Sequence, residues 1–268
     1  MLKSLVIQLE ALEEGKINGS TGRAVHGFWY KQWDAVDSRT ATTLHDETQV
    51  PPFSLSPLMG LPRPQKGITP VTRGVSAWFR VATLNERLSE MLIKLWAAQL
   101  PAEVELAGVR WRIGGVAANP QEHPWAGESS YQALSSKHLF NNRPPSRWNL
   151  FFETPLTFKS GLGHLPFPLP NNLLGSWLRR WQAYAPLALP EDLTRSVRER
   201  VMVSYFDMRT FPVRQGDRLI MGGRGSYSLK AIKLPASERA QVDLLANYAF
   251  FCGSGYKTTQ GMGLTRLK

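Results

Sequence analysis

Gly253-Ser-Gly255-Tyr-Lys257-Thr-Thr-Gln-Gly261-Met-Gly263 spaces four glycines as G-x-G-x5-G-x-G. No helix or strand absorbs such a run, because glycine costs backbone entropy inside either element and supplies positive φ in turns. Glycines also let backbone N–H groups turn toward an anion, and Lys257 adds a mobile charge. Residues 238–251 before the run have helical periodicity, and residues 262–267 after it alternate as a short strand. Farther back, residues 219–232 and 201–206 read as strands. Residues 170–184 form an amphipathic helix with Leu173, Leu174, Trp177, Leu178 and Trp181 inward and Arg179, Arg180 and Gln182 outward. Residues 148–158 are a strand. The second half therefore reads βαββαβ, with the glycine run closing it.

The first half has the same order. Residues 2–12 alternate as a strand, and Gly15, Asn18, Gly19 and Gly22 make a loop. A helix follows from 23 to about 36, with Val25, Phe28, Trp29 and Val36 on one face. Asp37-Ser38 caps a second short helix, 39–45, and Pro51-Pro52 ends it. Strands at 53–58 and 74–84 precede a helix at 86–99, which has Leu88, Met91, Leu92, Leu95 and Trp96 at helical spacing. A strand at 104–117 follows. The repeated order predicts an α+β protein of two tandem ferredoxin-like (RRM-like) βαββαβ domains. The expected boundaries are 1–120, a polar, proline-rich linker at 121–147 with a short helix near 129–138, and 148–268.

Of the 268 residues, 43% are hydrophobic and 20% charged, which is enough apolar material for full cores. Lys and Arg number 32 against 21 Asp and Glu, giving a net charge of +11. That excess points to a polyanionic partner, of which nucleic acid is the commonest. No apolar run approaches the ~20 residues of a membrane span. The N-terminus opens directly on an alternating segment, unlike a secretory signal, so a cytoplasmic location is expected. Cys252 is the only cysteine, which excludes an internal disulfide and any multi-cysteine zinc site. Two familiar glycine motifs also fail. A dinucleotide fingerprint needs a preceding strand and a glycine where Thr258 stands, and a nucleotide-binding P-loop needs Gly-Lys-Thr, which Tyr256 interrupts.

The glycine run at this place, after a second βαββαβ unit, resembles the C-terminal motif of the RAMP superfamily of CRISPR-associated proteins. Within it, the chain is similar to the endoribonuclease that cuts CRISPR precursor transcripts within their repeats. Three further stretches carry the resemblance. They are Gly27-Phe-Trp-Tyr30 with Leu44-His45-Asp46 and Phe53-Ser-Leu-Ser-Pro57; Phe152-Glu-Thr-Pro155-Leu-Thr-Phe158 before Leu165-Pro-Phe-Pro168; and Ala249-Phe-Phe-Cys-Gly253.

The resemblance implies RNA cleavage without metal or other cofactor. The 2′-hydroxyl beside the scissile phosphate attacks, leaving a 2′,3′-cyclic phosphate and a 5′-hydroxyl. Such chemistry needs a base, an acid and charge to steady the phosphorane. Histidine, with a free pKa of about 6.5, serves either proton role. By the resemblance, His45 is catalytic. His26, nineteen residues earlier, would be about 28 Å away on one straight helix, but the break near Asp37-Ser38 allows the pair to meet. Tyr30 follows His26 by four residues on the same face and matches a tyrosine used by some relatives. Their lysine is missing, because Pro51-Pro52 occupies its place before Phe53, and a two-histidine scheme is favoured. Asp34, Asp37, Asp46 and Glu47 read as caps and solvated charges, and His123, His138 and His164 as exposed loop residues.

The expected partner is CRISPR repeat RNA, the precursor crRNA. The resemblance also leaves room for a homodimer and for association with a CRISPR effector complex, but not for a membrane. Candidate RNA contacts are Arg23 and Lys31 near the histidines, Arg179 and Arg180, Arg209, Arg214 and Arg224 around a β-hairpin together with Arg218, and Gly253, Gly255, Lys257, Gly261 and Gly263 in the glycine run. Arg195, Arg198 and Arg200 form a further basic cluster. Trp29 and Trp33 are expected in the core. The competing reading is a catalytically silent RAMP subunit that holds crRNA. A generic pair of RRMs lacks its aromatic signature in the strands.

Overall fold

The computed structural model describes residues 1–46, 49–215 and 218–268. The chain divides into two compact units. One comprises Met1–Glu128 with Arg214–Arg218 and Thr259–Gly261. The other comprises Ser129–Val213, Leu219–Thr258 and Met262–Lys268. Of the segment 121–147, residues up to Glu128 belong to the first unit and the rest to the second.

The first unit contains β1 (Leu2–Ala11), β2 (Gly15–Asn18), α1 (Gly22–Val36), α2 (Ser38–Asp46), β3 (Phe53–Leu55), β4 (Ile68–Val71) and β5 (Ser76–Thr83). It continues with α3 (Glu86–Met91), β6 (Glu103–Leu106), β7 (Val109–Ala117) and β8 (Gly127–Ser129). The main sheet runs β3-β5-β1-β7-β6, with antiparallel neighbours, and β8 also pairs with β1. Taking the strands of the repeated motif alone, the order is second-third-first-fourth, which is ferredoxin-like. β2 and β4 form a separate antiparallel ribbon. Residues 104–117, expected as one strand, are a hairpin instead. Ala107 and Gly108 both take positive φ, 56° and 76°, and turn the chain in two residues. An alanine gives no sequence signal for that conformation.

α3 begins under an Asn85 cap, whose Oδ1 accepts from the Leu88 N–H at 2.8 Å, and its continuation Leu92–Ala97 is wound as a π-helix. The core is aromatic: Trp29, Trp33, Phe79, Trp96 and Trp111 are fully buried, with Phe53 almost so. Trp29 and Trp33 are core residues, as the helical spacing indicated.

The second unit contains α4 (Tyr131–Leu139), β9 (Arg147–Leu156), β10 (Phe158–Ser160), β11 (Gly163–Leu165), α5 (Pro170–Tyr184) and α6 (Leu193–Arg200). Then come β12 (Val201–Gln215), β13 (Arg218–Ala231), α7 (Ala236–Cys252) and β14 (Thr265–Leu267). Its sheet order, β12-β13-β9-β14, repeats the second-third-first-fourth pattern. β12 is longer than its apolar run suggested, and β10, β11 and α6 carried no clear periodicity. His138 is buried rather than exposed. Its Nδ1 lies 2.7 Å from Asp243 Oδ2, and Asp243 Oδ1 accepts from Trp148 Nε1 at 3.0 Å.

The glycine run departs from its expected role. Gly253, Gly255, Gly261 and Gly263 are all buried. The N–H groups are used inside the unit: Gly253 donates to the Ala249 carbonyl, Ser254 to Gly263, Tyr256 to Thr157 and Gly263 to Pro155, at 2.8–3.0 Å. Gly255 N–H donates to Ser176 Oγ at 3.3 Å. The amide cradle for phosphate is therefore corrected to a tightly folded turn. At Gly255, φ is +79°, and a Cβ would stand 2.4 Å from the Thr157 oxygen. Gly255→Val should cost about 3 kcal/mol or more, combining left-handed strain with a backbone clash. A urea titration without RNA measures it, and an unchanged unfolding midpoint would show that the turn tolerates a side chain.

Candidate active site

Burial decides the direction of α1. Val25, Phe28, Trp29, Gln32 and Trp33 face the core. At 100° per residue the opposite face then carries Arg23, His26, Gly27, Tyr30 and Lys31. Arg23 and Lys31 are exposed, and His26 and Tyr30 are half-buried. The helix start is held by Thr21, whose Oγ1 accepts from the Leu58 N–H at 2.8 Å. It also lies close to Gln260 and Gly261: a Cβ on Gly22 would come within 2.0 Å of the Gln260 oxygen, and one on Gly261 within 2.9 Å of the Pro57 nitrogen.

α1 ends at Asp37, an extended residue with φ −162° whose N–H donates to the Trp33 carbonyl at 2.7 Å. Its carboxylate accepts from Thr40 Oγ1 at 2.7 Å, and that hydrogen bond holds its pKa below the ordinary aspartate value. One residue therefore stops the first helix and caps the second, and α2 packs back along α1, burying Ala41 and Leu44.

The return brings three rings together. Tyr30 lies edge-on to His26 with centroids 5.0 Å apart, and tilted against His45 at 4.7 Å. Two histidines nineteen residues apart in sequence are thus separated by no more than the sum of those spacings. Tyr30 Oη donates to the Leu44 carbonyl at 3.2 Å. That oxygen belongs to the last turn of α2, where helix carbonyls lack intrahelical partners. Burial pushes the Tyr30 phenol above its ordinary pKa, so the ring that touches both histidines is a neutral hydroxyl donor. His45 is exposed at the end of α2. Glu47 lies outside the described residues. Among the described residues no group of three or more His, Cys, Asp or Glu could hold a metal ion.

The expected RNA contacts separate into two kinds. Arg23, Lys31, Arg179, Arg209 and Arg214 are exposed. Burial first, and the neighbouring Arg180 charge second, lower the Arg179 pKa, without threatening its charge. Arg224 is half-exposed and tied to Glu153, with Nη2 to Oε1 at 2.7 Å. Arg180 is a correction: it is buried, not outward. It follows Leu173 by seven residues and Trp177 by three, on the buried stripe of α5. Its guanidinium donates to Thr258 Oγ1 at 2.7 Å and to the carbonyls of Gly255 and Gly253 at 3.3 and 3.5 Å. The glycine turn is its partner, and no sequence pattern announced that pairing. Lys257 is half-buried with positive φ, 56°.

Residues 1–136 match the family model for the CRISPR Cas6 N-terminal domain, and residues 150–265 match that for CRISPR-associated endoribonuclease Cas6. No curated protein matches the chain. Among solved structures, the Cas6 (TTHA0078) product complex is 29% identical, with a TM-score of 0.80 over 100% of this chain and 99% of that one. The Cas6 (TTHB231) product complex, a Thermus thermophilus protein, is 26% identical with a TM-score of 0.82, and each chain is covered fully. A Cas6-related protein from Pyrococcus furiosus, 12% identical with a TM-score of 0.68 over 100% of this chain and 99% of that one, shares the fold.

Tyr30→Phe should lower stability by about 1 kcal/mol through the lost bond to Leu44, whereas Tyr30→Ala should lower it by about 3 kcal/mol by emptying the space its ring fills against the core and the two histidines. Chemical denaturation of the two variants tests this; a Tyr30→Phe variant as stable as the wild type would mean that the hydroxyl contributes nothing, and equal losses would mean that the ring contributes nothing.

Proposed function

The chain belongs to the CRISPR-associated endoribonuclease Cas6 family, and from that membership we propose that it cuts CRISPR precursor RNA within its repeats by a metal-independent, two-histidine mechanism. The observation that carries the reading is the contact of both the His26 and the His45 ring with the ring of Tyr30. Two imidazoles, the side-chain type whose free pKa lies closest to neutrality, thus contact one neutral phenol.

One histidine removes the proton of the 2′-hydroxyl beside the scissile phosphate. The oxygen attacks phosphorus, the bond to the 5′-oxygen breaks, and the second histidine protonates that leaving oxygen. The products are a 2′,3′-cyclic phosphate and a 5′-hydroxyl. Tyr30 is a positioning residue in this scheme. Its hydroxyl is already donated to Leu44, its raised pKa makes it a poor base, and its ring packs against both imidazoles. Arg23, three residues before His26 on the same exposed face, supplies positive charge that offsets charge on the phosphorane. The excess of 11 positive charges draws the polyanion toward the protein at long range. The enzyme works in the prokaryotic cytoplasm, on RNA rather than at a membrane.

His45→Ala should lower single-turnover cleavage of repeat RNA by about 10²–10⁴-fold while leaving affinity within a few-fold, because proton transfer and RNA positioning are separate contributions. Wild-type cleavage should persist in EDTA and stop when the ribose just upstream of the cut carries a 2′-deoxy substitution. Full activity in His45→Ala, a magnesium requirement, or cleavage of the deoxy substrate would overturn the mechanism. Binding without cleavage by the wild type would make the protein a crRNA-holding subunit.

A further inference from the structure

We propose that Tyr256, Lys159, His164 and Lys257 form a subsite in the second unit for an unpaired RNA nucleotide, with the base on the tyrosine ring and its phosphates on the cations. The proposal rests on the reading of the protein as an RNA enzyme, but none of these residues belongs to its catalytic histidine pair.

The site is built from two elements. β10 and β11 form a short antiparallel ribbon in which Lys159 and His164 are direct cross-strand partners. The glycine turn supplies Tyr256 and Lys257. Lys159 Nζ lies 4.8 Å from the centroid of the Tyr256 ring, Lys257 Nζ 5.4 Å, and the His164 ring 5.5 Å at an angle of 33°. Two lysines and a protonatable imidazole thus crowd one aromatic ring.

Three features distinguish this from an ordinary basic surface. Opposite charges across paired strands stabilise a ribbon, yet Lys159 faces an imidazole, His164, and among the described residues no carboxylate pairs with either. Lys257 holds φ at 56°, a conformation that a side chain rarely adopts, within a turn whose glycines are fixed by Arg180 and by backbone hydrogen bonds. The Tyr256 ring itself is steadied against Val213, Ile220 and Met262, so it is a fixed platform rather than a loose side chain.

The chemistry favours a nucleotide over a lone anion, since cations grouped around a ring match a phosphate on either side of a stacked base. Exposed cation–π contacts are weak, and a stacked base gains more, so the lysines can move from the ring to the phosphates when RNA arrives. Only an unpaired base can reach the ring, because bases within an A-form duplex are stacked and turned inward. The half-exposed tyrosine, the exposed Lys159 and the exposed His164 leave the cluster open to solvent.

Anisotropy of a fluorescein-labelled oligouridylate 12-mer, with a 12-base-pair RNA duplex as comparison, tests the subsite. Tyr256→Leu, which keeps apolar bulk against Val213, Ile220 and Met262, should weaken 12-mer binding by about five- to a hundredfold. Tyr256→Phe should stay within about twofold of wild type, and neither change should alter duplex binding. Lys159→Ala should flatten the slope of log affinity against log salt by about 0.7, one single-strand phosphate contact. A 12-mer carrying 5-iodouridine should crosslink to Tyr256. Wild-type 12-mer binding by Tyr256→Leu, with an unchanged melting temperature, would overturn the proposal, as would failure of the wild type to bind the 12-mer. Repeat cleavage, and its loss in His45→Ala, is measured separately, so failure of the subsite and failure of the catalytic reading are distinguishable.

Discussion

Burial of the tryptophans on α1 is the constraint from which the candidate active site follows. Trp29 and Trp33 pack against each other at 5.5 Å, Trp29 lies 5.3 Å from Trp96, and none of the three is exposed. Removing such large apolar surfaces from water is worth more than any single polar contact in the unit. With that face committed to the core, the rotation of the helix is fixed, and His26, Tyr30 and Arg23 have no choice but to face outward. Gln32 strengthens the arrangement by donating to the carbonyls of Trp96 and Gln99, which ties α1 to the helical segment beside it.

The second histidine arrives by a different route. An α-helix continued past Val36 would carry it away from the first. Asp37 prevents this by taking an extended conformation and capping the next helix with its carboxylate. The return is then held by burial of Ala41 and Leu44 and by the phenol of Tyr30 on the Leu44 carbonyl. The bond that holds α2 back and the contacts to both histidines therefore come from one residue, because the ring that binds Leu44 also touches the His26 and His45 imidazoles.

A comparable economy appears in the glycine turn. Arg180 is a buried cation whose guanidinium donates to two backbone carbonyls and a hydroxyl of that turn. Burying a guanidinium is costly unless its donors are used. The left-handed glycines let the chain fold tightly enough to present those oxygens. The turn is thus shaped from inside by Arg180 and carries Tyr256 and Lys257 as its half-exposed side chains, beside a ribbon that contributes Lys159 and His164.

The sequence alone determined the fold class, because apolar periodicity and breaker residues repeat the order βαββαβ twice, and these are local signals. α5 was legible to its end residues, and the break at Asp37-Ser38 was visible as a cap. The stretches around His45, and the glycine run, were distinctive enough to indicate the family. What it could not reveal were features set by long-range packing. Arg180 looks like a surface arginine until the turn some seventy residues later is folded against it. Ala107 gives no hint of left-handed backbone, and His138 no hint of Asp243. Lys159, His164 and Tyr256 lie in three separate stretches with no shared spacing. Local pattern fixes which elements form and which faces they bury. Only tertiary structure decides which residues distant in the chain share a site, since that depends on how the buried faces are satisfied together.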